Sequence, residues 1–129
     1  MQRLEKEQLI NWFKAGEKPR EFWKIGTEHE KFVFHLDNLE RAGYFGKSGI
    51  SELLNNLAKE NDWEKVLENN NIIGLKDETG ASISLEPGGQ LELSGSPLEN
   101  LHQTCKETGK HLQIMKKAIN KLGLSMIGL

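Results

Sequence analysis

Apolar side chains recur every three or four residues in three segments of the chain, which is the spacing of an amphipathic helix. The segments are residues 3–15, 48–60 and 97–122. In the first helix the apolar positions are Leu4, Leu9, Trp12 and Phe13, and in the second they are Ile50, Leu53, Leu54 and Leu57. In the third they are Leu98, Leu101, Cys105, Thr108, Leu112, Met115, Ile119 and Leu122.

The third helix and a further short helix have recognisable start signals. Ser96 is expected to cap the third helix, with Pro97 at its first position and Glu99 completing a capping box. Asp62 is expected to cap a further short helix over "WEKVL".

Four other segments read as strands: residues 22–35, the stretch "NIIGLKD", the hairpin over residues 81–95, and the closing "LSMIGL". In the hairpin, apolar and polar side chains alternate, so the polar residues share one face. These polar residues are Ser82, Ser84, Glu86, Gln90, Glu92 and Ser94. A turn at "PGG" would set Glu86 opposite Gln90. Because a domain rarely ends on an unpaired apolar strand, we expect the chain to be truncated.

Two carboxylates stand in line with the aromatic residues of the first predicted strand. Glu28 and Glu30 share a strand face with Phe32 and Phe34, and this face is expected to be core. Two charges at strand spacing repel by about 2.5 kcal/mol at an effective dielectric constant near 20. A solvated face or a bound divalent cation would each relieve this repulsion, and spacing alone leaves both interpretations open.

Composition limits the class of protein. The chain has 129 residues and a formal charge of −2, so it carries no basic footprint for nucleic acid. No apolar run is long enough for a spanning helix or a secretory signal, so no membrane partner is expected. Cys105 is the sole cysteine, which excludes an internal disulfide and indicates a reducing, cytoplasmic setting.

Two further patterns do not indicate a catalytic or binding site. "GYFGKS" has Arg41 where a phosphate loop needs its first glycine, and it does not follow a strand. Cys105 falls on the apolar stripe of its helix, so we expect it to be a small buried hydrophobe. Structural roles are likewise expected for His102 and His111, while His29 should point away from the two acids beside it.

Two long blocks, "KPREFWKIGTEHEKFVF" and "ISLEPGGQLELSGSPLENLHQTC", closely resemble glutamate–cysteine ligase of the plant and proteobacterial type. That family belongs to the carboxylate–amine ligases, which are related to glutamine synthetase. The resemblance implies an α+β fold, an antiparallel sheet packed with helices that forms part of a glutamine-synthetase-like catalytic domain. Members are several times longer, so residues 1–129 would form a single partial domain.

The resemblance also implies a reaction and a site. ATP would phosphorylate the γ-carboxylate of glutamate, and the amine of cysteine would displace phosphate to give γ-glutamylcysteine, the first step of glutathione synthesis. Glu28, Glu30 and Glu92 match the family's acids that hold Mg²⁺ against ATP, and Glu86 and Gln90 would line the site. The arginines that bind the substrate carboxylates would lie further along, so the remainder of the ligase chain would be needed.

Two alternatives stay open at this point. The chain could belong to a ligase that joins glutamate to a different amine. It could instead be a non-catalytic metal-binding or interaction module derived from the ligase.

Overall fold

The computed structural model describes residues 3–128, which contain three α-helices and six strands. Helix α1 spans Lys6–Ala15, α2 spans Ile50–Asn61 and α3 spans Leu101–Lys121; a short 3-10 turn covers Arg20–Phe22. The strands are β1 (Glu28–His35), β2 (Glu64–Glu68), β3 (Asn71–Lys76), β4 (Ser82–Leu85), β5 (Gln90–Ser94) and β6 (Leu124–Gly128). The predicted α+β class is confirmed.

The six strands form one antiparallel sheet in the order β2-β3-β4-β5-β1-β6. Strand β1 therefore lies between the hairpin strand β5 and the last strand, β6. The predicted hairpin is confirmed, because Ser84 pairs with Glu92 and the amide of Glu86 donates to the carbonyl of Gln90 at 2.8 Å. Gly88 and Gly89 both adopt positive φ in the turn, a conformation that glycine takes without a steric penalty.

One face of the sheet carries the core. Val33, Leu91 and Leu124 are at most 2% exposed and pack with α2 and α3. Helix α2 contributes Ile50, Leu53, Leu54, Leu57 and Ala58, and α3 contributes Met115, Ala118 and Ile119. Burial of these side chains is the main source of stability, since each fully buried aliphatic side chain is worth about 1.5–3 kcal/mol. We call this the covered face and the opposite one the open face.

The expectation that Phe32 and Phe34 face the core is wrong. Their neighbour Val33 is the buried residue of β1, and both phenylalanines lie half-buried on the open face with Glu28 and Glu30. Aromatic residues suit a half-buried pleated surface, so their presence does not identify which strand face a helix will cover.

The predicted short helix after Asp62 is also wrong. Asp62 ends α2 in the left-handed conformation, and residues Glu64–Glu68 form strand β2. The apolar residues of this segment are too few to distinguish a one-turn helix from an edge strand by spacing. Pairing with β3 therefore decides its conformation.

Helix α3 begins four residues later than predicted. Asn100 is its N-cap, and its side chain accepts a hydrogen bond from the amide of Gln103. Glu99 does not form a capping box but pairs with Lys24 at 2.8 Å. The buried face of α3 consists of Thr104, His111, Met115, Ala118 and Ile119, so Cys105 is exposed and the expectation that it is buried is wrong.

Helix α1 forms as predicted but buries none of its residues. Trp12 and Phe13 are 78% and 77% exposed. No helix within residues 3–128 combines the length and apolar character needed to cross a lipid bilayer.

Candidate functional site

The acids selected from the sequence share the open face of the sheet. Glu30 on β1 stands directly opposite Glu92 on β5, and Glu28 stands opposite Ser94. Residues opposite each other in an antiparallel pair project from the same face, so all three carboxylates project from one side. Gln90 lies opposite Phe32 and joins them. The shared face that the alternation predicted is therefore confirmed by the strand register.

Neutral side chains hold these acids by hydrogen bonds. The amide of Gln90 donates to Glu30 Oε2 at 2.7 Å across the strand pair. The hydroxyl of Ser94 donates to Glu92 Oε1 at 2.9 Å, and that of Ser84 donates to Glu86 Oε1 at 2.8 Å. Hydrogen bonds to an ionised acceptor are the stronger kind, so these donors orient the carboxylates without neutralising them.

None of these acids pairs with a basic side chain within residues 3–128, where the ion pairs are Lys24–Glu99, Lys117–Glu60 and Lys121–Glu60. The side-chain hydrogen bond from Lys121 lowers the pKa of Glu60, and that from Lys24 lowers the pKa of Glu99. The carboxylates on the open face have no such basic partner among residues 3–128, so they are available to bind a cation. Oxygen-only donors of this kind match Mg²⁺, which prefers carboxylates and retains open positions for phosphate oxygens.

As the side chains stand, no three acid, histidine or cysteine groups in the described part of the chain are gathered closely enough to enclose a metal ion. The donor chemistry fits a divalent cation, and the arrangement is an open platform rather than a closed cage. A cavity of about 530 Å³ adjoins the platform and has Glu28 and Glu30 in its wall. The rest of the cavity wall includes His29, Lys31 and Thr108 from the covered face, so the cavity lies at the edge of β1.

A basic cluster lies behind the acids on the covered face. His29 points away from Glu28 and Glu30, as predicted, and its Nε2 lies 3.1 Å from the hydroxyl of Thr108 on α3. Lys31 is 5% exposed, and burial lowers the pKa of its ammonium group. Burial, followed by the positive charges of Lys31 and His29, lowers the pKa of His111 to about 4, so this imidazole is neutral at pH 7.

Some residues around the site were not identified from the sequence as parts of it. Ser84 and Ser94 share the parity of the acids, which was the available signal for their contacts with Glu86 and Glu92. In the sequence, Arg41 is notable only because it stands where a phosphate loop needs its first glycine. In the structure its Nη1 donates to the carbonyl of Gly88 at 3.0 Å, a contact across 47 positions that no local pattern encodes.

Comparison with known proteins decides the family. The model of glutamate-cysteine ligase family 2 (GCS2) matches residues 24–129. The chain belongs to this family. It is 50% identical to glutamate–cysteine ligase A, chloroplastic, of Oryza sativa subsp. japonica and 51% identical to glutamate–cysteine ligase, chloroplastic, of Medicago truncatula, over 98% of the chain in both cases. It is also 51% identical to the chloroplastic enzyme of Nicotiana tabacum over 97% of the chain.

The chain spans about a quarter of the length of these relatives, with 25%, 24% and 23% of the three proteins covered. The resemblance seen in the sequence is therefore confirmed for the N-terminal part of a family domain. The expected cytoplasmic location is wrong, because the plant relatives at about 50% identity are named chloroplastic. A single cysteine indicates a reducing environment and does not say which compartment provides it.

Proposed function

We propose that the chain supplies the metal-binding part of an ATP-dependent ligase that joins the γ-carboxylate of glutamate to the amine of cysteine and yields γ-glutamylcysteine, the first step of glutathione synthesis. The family assignment and the placement of Glu28, Glu30 and Glu92 support this role. The single observation that carries the proposal is the pairing of Glu30 with Glu92, which puts three acids on an open sheet face with no basic partner within residues 3–128.

Each site residue has an assigned task in this proposal. Glu28, Glu30 and Glu92 would hold Mg²⁺, and the bound cation would neutralise charge on the phosphates of ATP, the main need of phosphoryl transfer. Gln90 fixes the carboxylate of Glu30, and Ser94 fixes that of Glu92. Glu86, oriented by Ser84, lines the same face. Phe32 lies half-buried on the same face.

The test is a chimeric ligase in which this chain replaces the matching N-terminal quarter of the Medicago truncatula relative. We expect the chimera to form γ-glutamylcysteine from glutamate, cysteine and ATP in the presence of Mg²⁺. Glu30→Gln in the chimera is expected to lower kcat about 100-fold or more and to raise the Mg²⁺ concentration needed for half-maximal rate, because it removes one charged ligand.

The matched control is Glu68→Gln, an exposed acid on β2 at the opposite edge of the sheet. This change should leave both the rate and the Mg²⁺ requirement as they were. A chimera that folds but makes no product would favour the non-catalytic module. Product formed with other amines and not with cysteine would favour a ligase of different acceptor specificity.

The 129-residue chain by itself is expected to make no γ-glutamylcysteine. The resemblance implies that the carboxylate-binding arginines would lie further along the ligase chain, and positioning of substrates supplies much of the rate in such reactions. The measurement is product formation by the purified chain with ATP, Mg²⁺ and both amino acids. Detectable product that depends on cysteine would show that the chain carries a complete active site.

A further inference from the structure

Two enclosed oxygen atoms near the acids have no hydrogen-bond partner among residues 3–128, namely Thr27 Oγ1 and Glu107 Oε2. Both lie beside Gly95, because a Cβ added to this glycine would meet Glu107 Oε2 and would lie 3.0 Å from Thr27 Oγ1. Enclosed polar atoms in proteins are almost always hydrogen-bonded, and a hydroxyl is a suitable donor to a carboxylate. The absence of a side chain at Gly95 leaves room for the two groups to meet.

The other atoms of these residues are already bound to the ends of two strands. Glu107 Oε1 accepts the amide N–H of Ser96 at 2.8 Å. The amide of Gly95 donates to the carbonyl of Thr27 at 2.7 Å. Glu107 therefore connects α3 to the segment that leaves β5, and a bond to Thr27 would connect it to the start of β1 as well.

These strand ends carry the acids. Thr27 directly precedes Glu28, and Gly95 directly follows Ser94, the residue that pairs with Glu28. The next residue of α3, Thr108, contacts His29 from the same side. Thr108 thus contacts the second residue of β1 from the covered face, and Glu107 lies beside Thr27, the residue that precedes the strand.

As the side chains stand, the two oxygens do not bond to each other. We propose that Glu107 is a positioning residue: a small rotation of its carboxylate lets its free oxygen accept a hydrogen bond from the hydroxyl of Thr27 beside Gly95. This contact, the Thr27–Glu107 clamp, fixes the end of the β1–β5 ladder from which Glu28, Glu30 and Glu92 project. The effect on metal binding rests on the proposed function of these acids. The clamp itself is a structural contact that can be measured without metal.

The experiment uses NMR spectroscopy of the 129-residue chain with Thr27→Val, which keeps the shape of the side chain and removes the hydroxyl. We expect the amide of Gly95 to exchange with solvent about tenfold faster, since the ladder end loses its anchor. The Mn²⁺ concentration that half-broadens the amide signals of Glu28 and Glu30 should rise about tenfold, as for other residues that orient metal ligands. Thr27→Ser retains the hydroxyl and should restore both values.

Gly95→Ala and Gly109→Ala form a matched pair of glycine variants. A methyl group on Gly95 would occupy the space between the two oxygens, whereas a Cβ on Gly109 in α3 has no neighbour within 4 Å. The first should reproduce the effects of Thr27→Val. The second should leave the Gly95 exchange rate and the Mn²⁺ response unchanged.

The outcomes separate the clamp from the proposed function. If wild type shows no Mn²⁺ broadening at the acids, the proposed function fails, and the clamp stands or falls on Gly95 exchange alone. Faster exchange in Thr27→Val with an unchanged Mn²⁺ response would reduce the contact to a structural one and overturn the positioning role. If Thr27→Val does not fold, the hydroxyl proton of Thr27 in wild type decides: a slowly exchanging signal supports the clamp, and its absence overturns it.

Discussion

The two faces of the sheet are built from neighbouring residues of the same strands, yet they have opposite properties. On β5, Leu91 is 2% exposed and packs under the helices, whereas Glu92 lies half-buried on the open face beside Glu30. On β1, Val33 is buried between Phe32 and Phe34, which are not. Successive residues of one strand thus point to opposite faces, one that stabilises the fold and one that is available to ligands.

The covered face is stabilised by contact and the open face is not. Side chains from α2 and α3 fill the covered face with apolar contacts. The open face gathers carboxylates that repel one another and that lack basic partners among the described residues. Substitutions on the two faces should therefore separate effects on stability from effects on ligand binding.

The largest effect is expected from two adjacent residues of β5. Leu91→Ala should lower the free energy of unfolding by about 2–5 kcal/mol, because it leaves a cavity beneath the helices. Glu92→Gln should change it by less than about 1 kcal/mol, since it removes a charge on a hydrated face. Chemical denaturation of both variants in the absence of metal measures the difference. Equal losses of stability would show that the open face is packed as tightly as the covered one.

A smaller effect is expected from pH, and it should arise on the covered face. His111 has a pKa of about 4 when folded, below its usual value of 6.5, so the unfolded chain binds the proton more readily. The contribution of the neutral His111 side chain to the free energy of unfolding is complete above pH 6.5 and is lost as pH falls towards 4. The loss amounts to about 3 kcal/mol at most. The measurement is denaturant unfolding at pH 7 and pH 4.5.

Two histidine variants isolate this contribution. His111→Gln should flatten the decline in stability between pH 6.5 and 4.5. His102→Gln changes an exposed residue of the same helix and should leave the decline as in wild type. A decline that persists in His111→Gln would assign the pH dependence to other groups.

The smallest effect on stability is expected from Glu30→Gln on the open face. The change relieves the repulsion between Glu30 and Glu92, so the metal-free chain should gain less than about 1 kcal/mol. Affinity for divalent cations should fall at the same time. A packing defect could not lower this affinity and raise the stability together. A thermal melt beside a Mn²⁺ titration measures both. A lowered melting temperature would show that Glu30 is a structural residue.

Local sequence determined much of this protein. Alternation along "ISLEPGGQLEL" established which residues share a face, because strand side chains alternate whatever surrounds them. The turn at "PGG" then set the hairpin register that pairs Ser84 with Glu92. The resemblance of "KPREFWKIGTEHEKFVF" and "ISLEPGGQLELSGSPLENLHQTC" to glutamate–cysteine ligase identified the family. The same resemblance predicted Glu28, Glu30 and Glu92 as the acids of the site. Helices α1 and α2 were also recognisable from their spacing.

Only tertiary structure decided which face of the sheet is covered. Alternation defines two faces but does not rank them when both carry apolar residues, as β1 does with Val33 on one side and Phe34 on the other. The position of α3 settles this, and it also exposes Cys105 while it buries His111. Pairing with β3 likewise makes Glu64–Glu68 a strand. Contacts between residues distant in the chain, such as those of Glu107 with Ser96 and of Arg41 with Gly88, depend on the folded backbone and have no local pattern that could predict them.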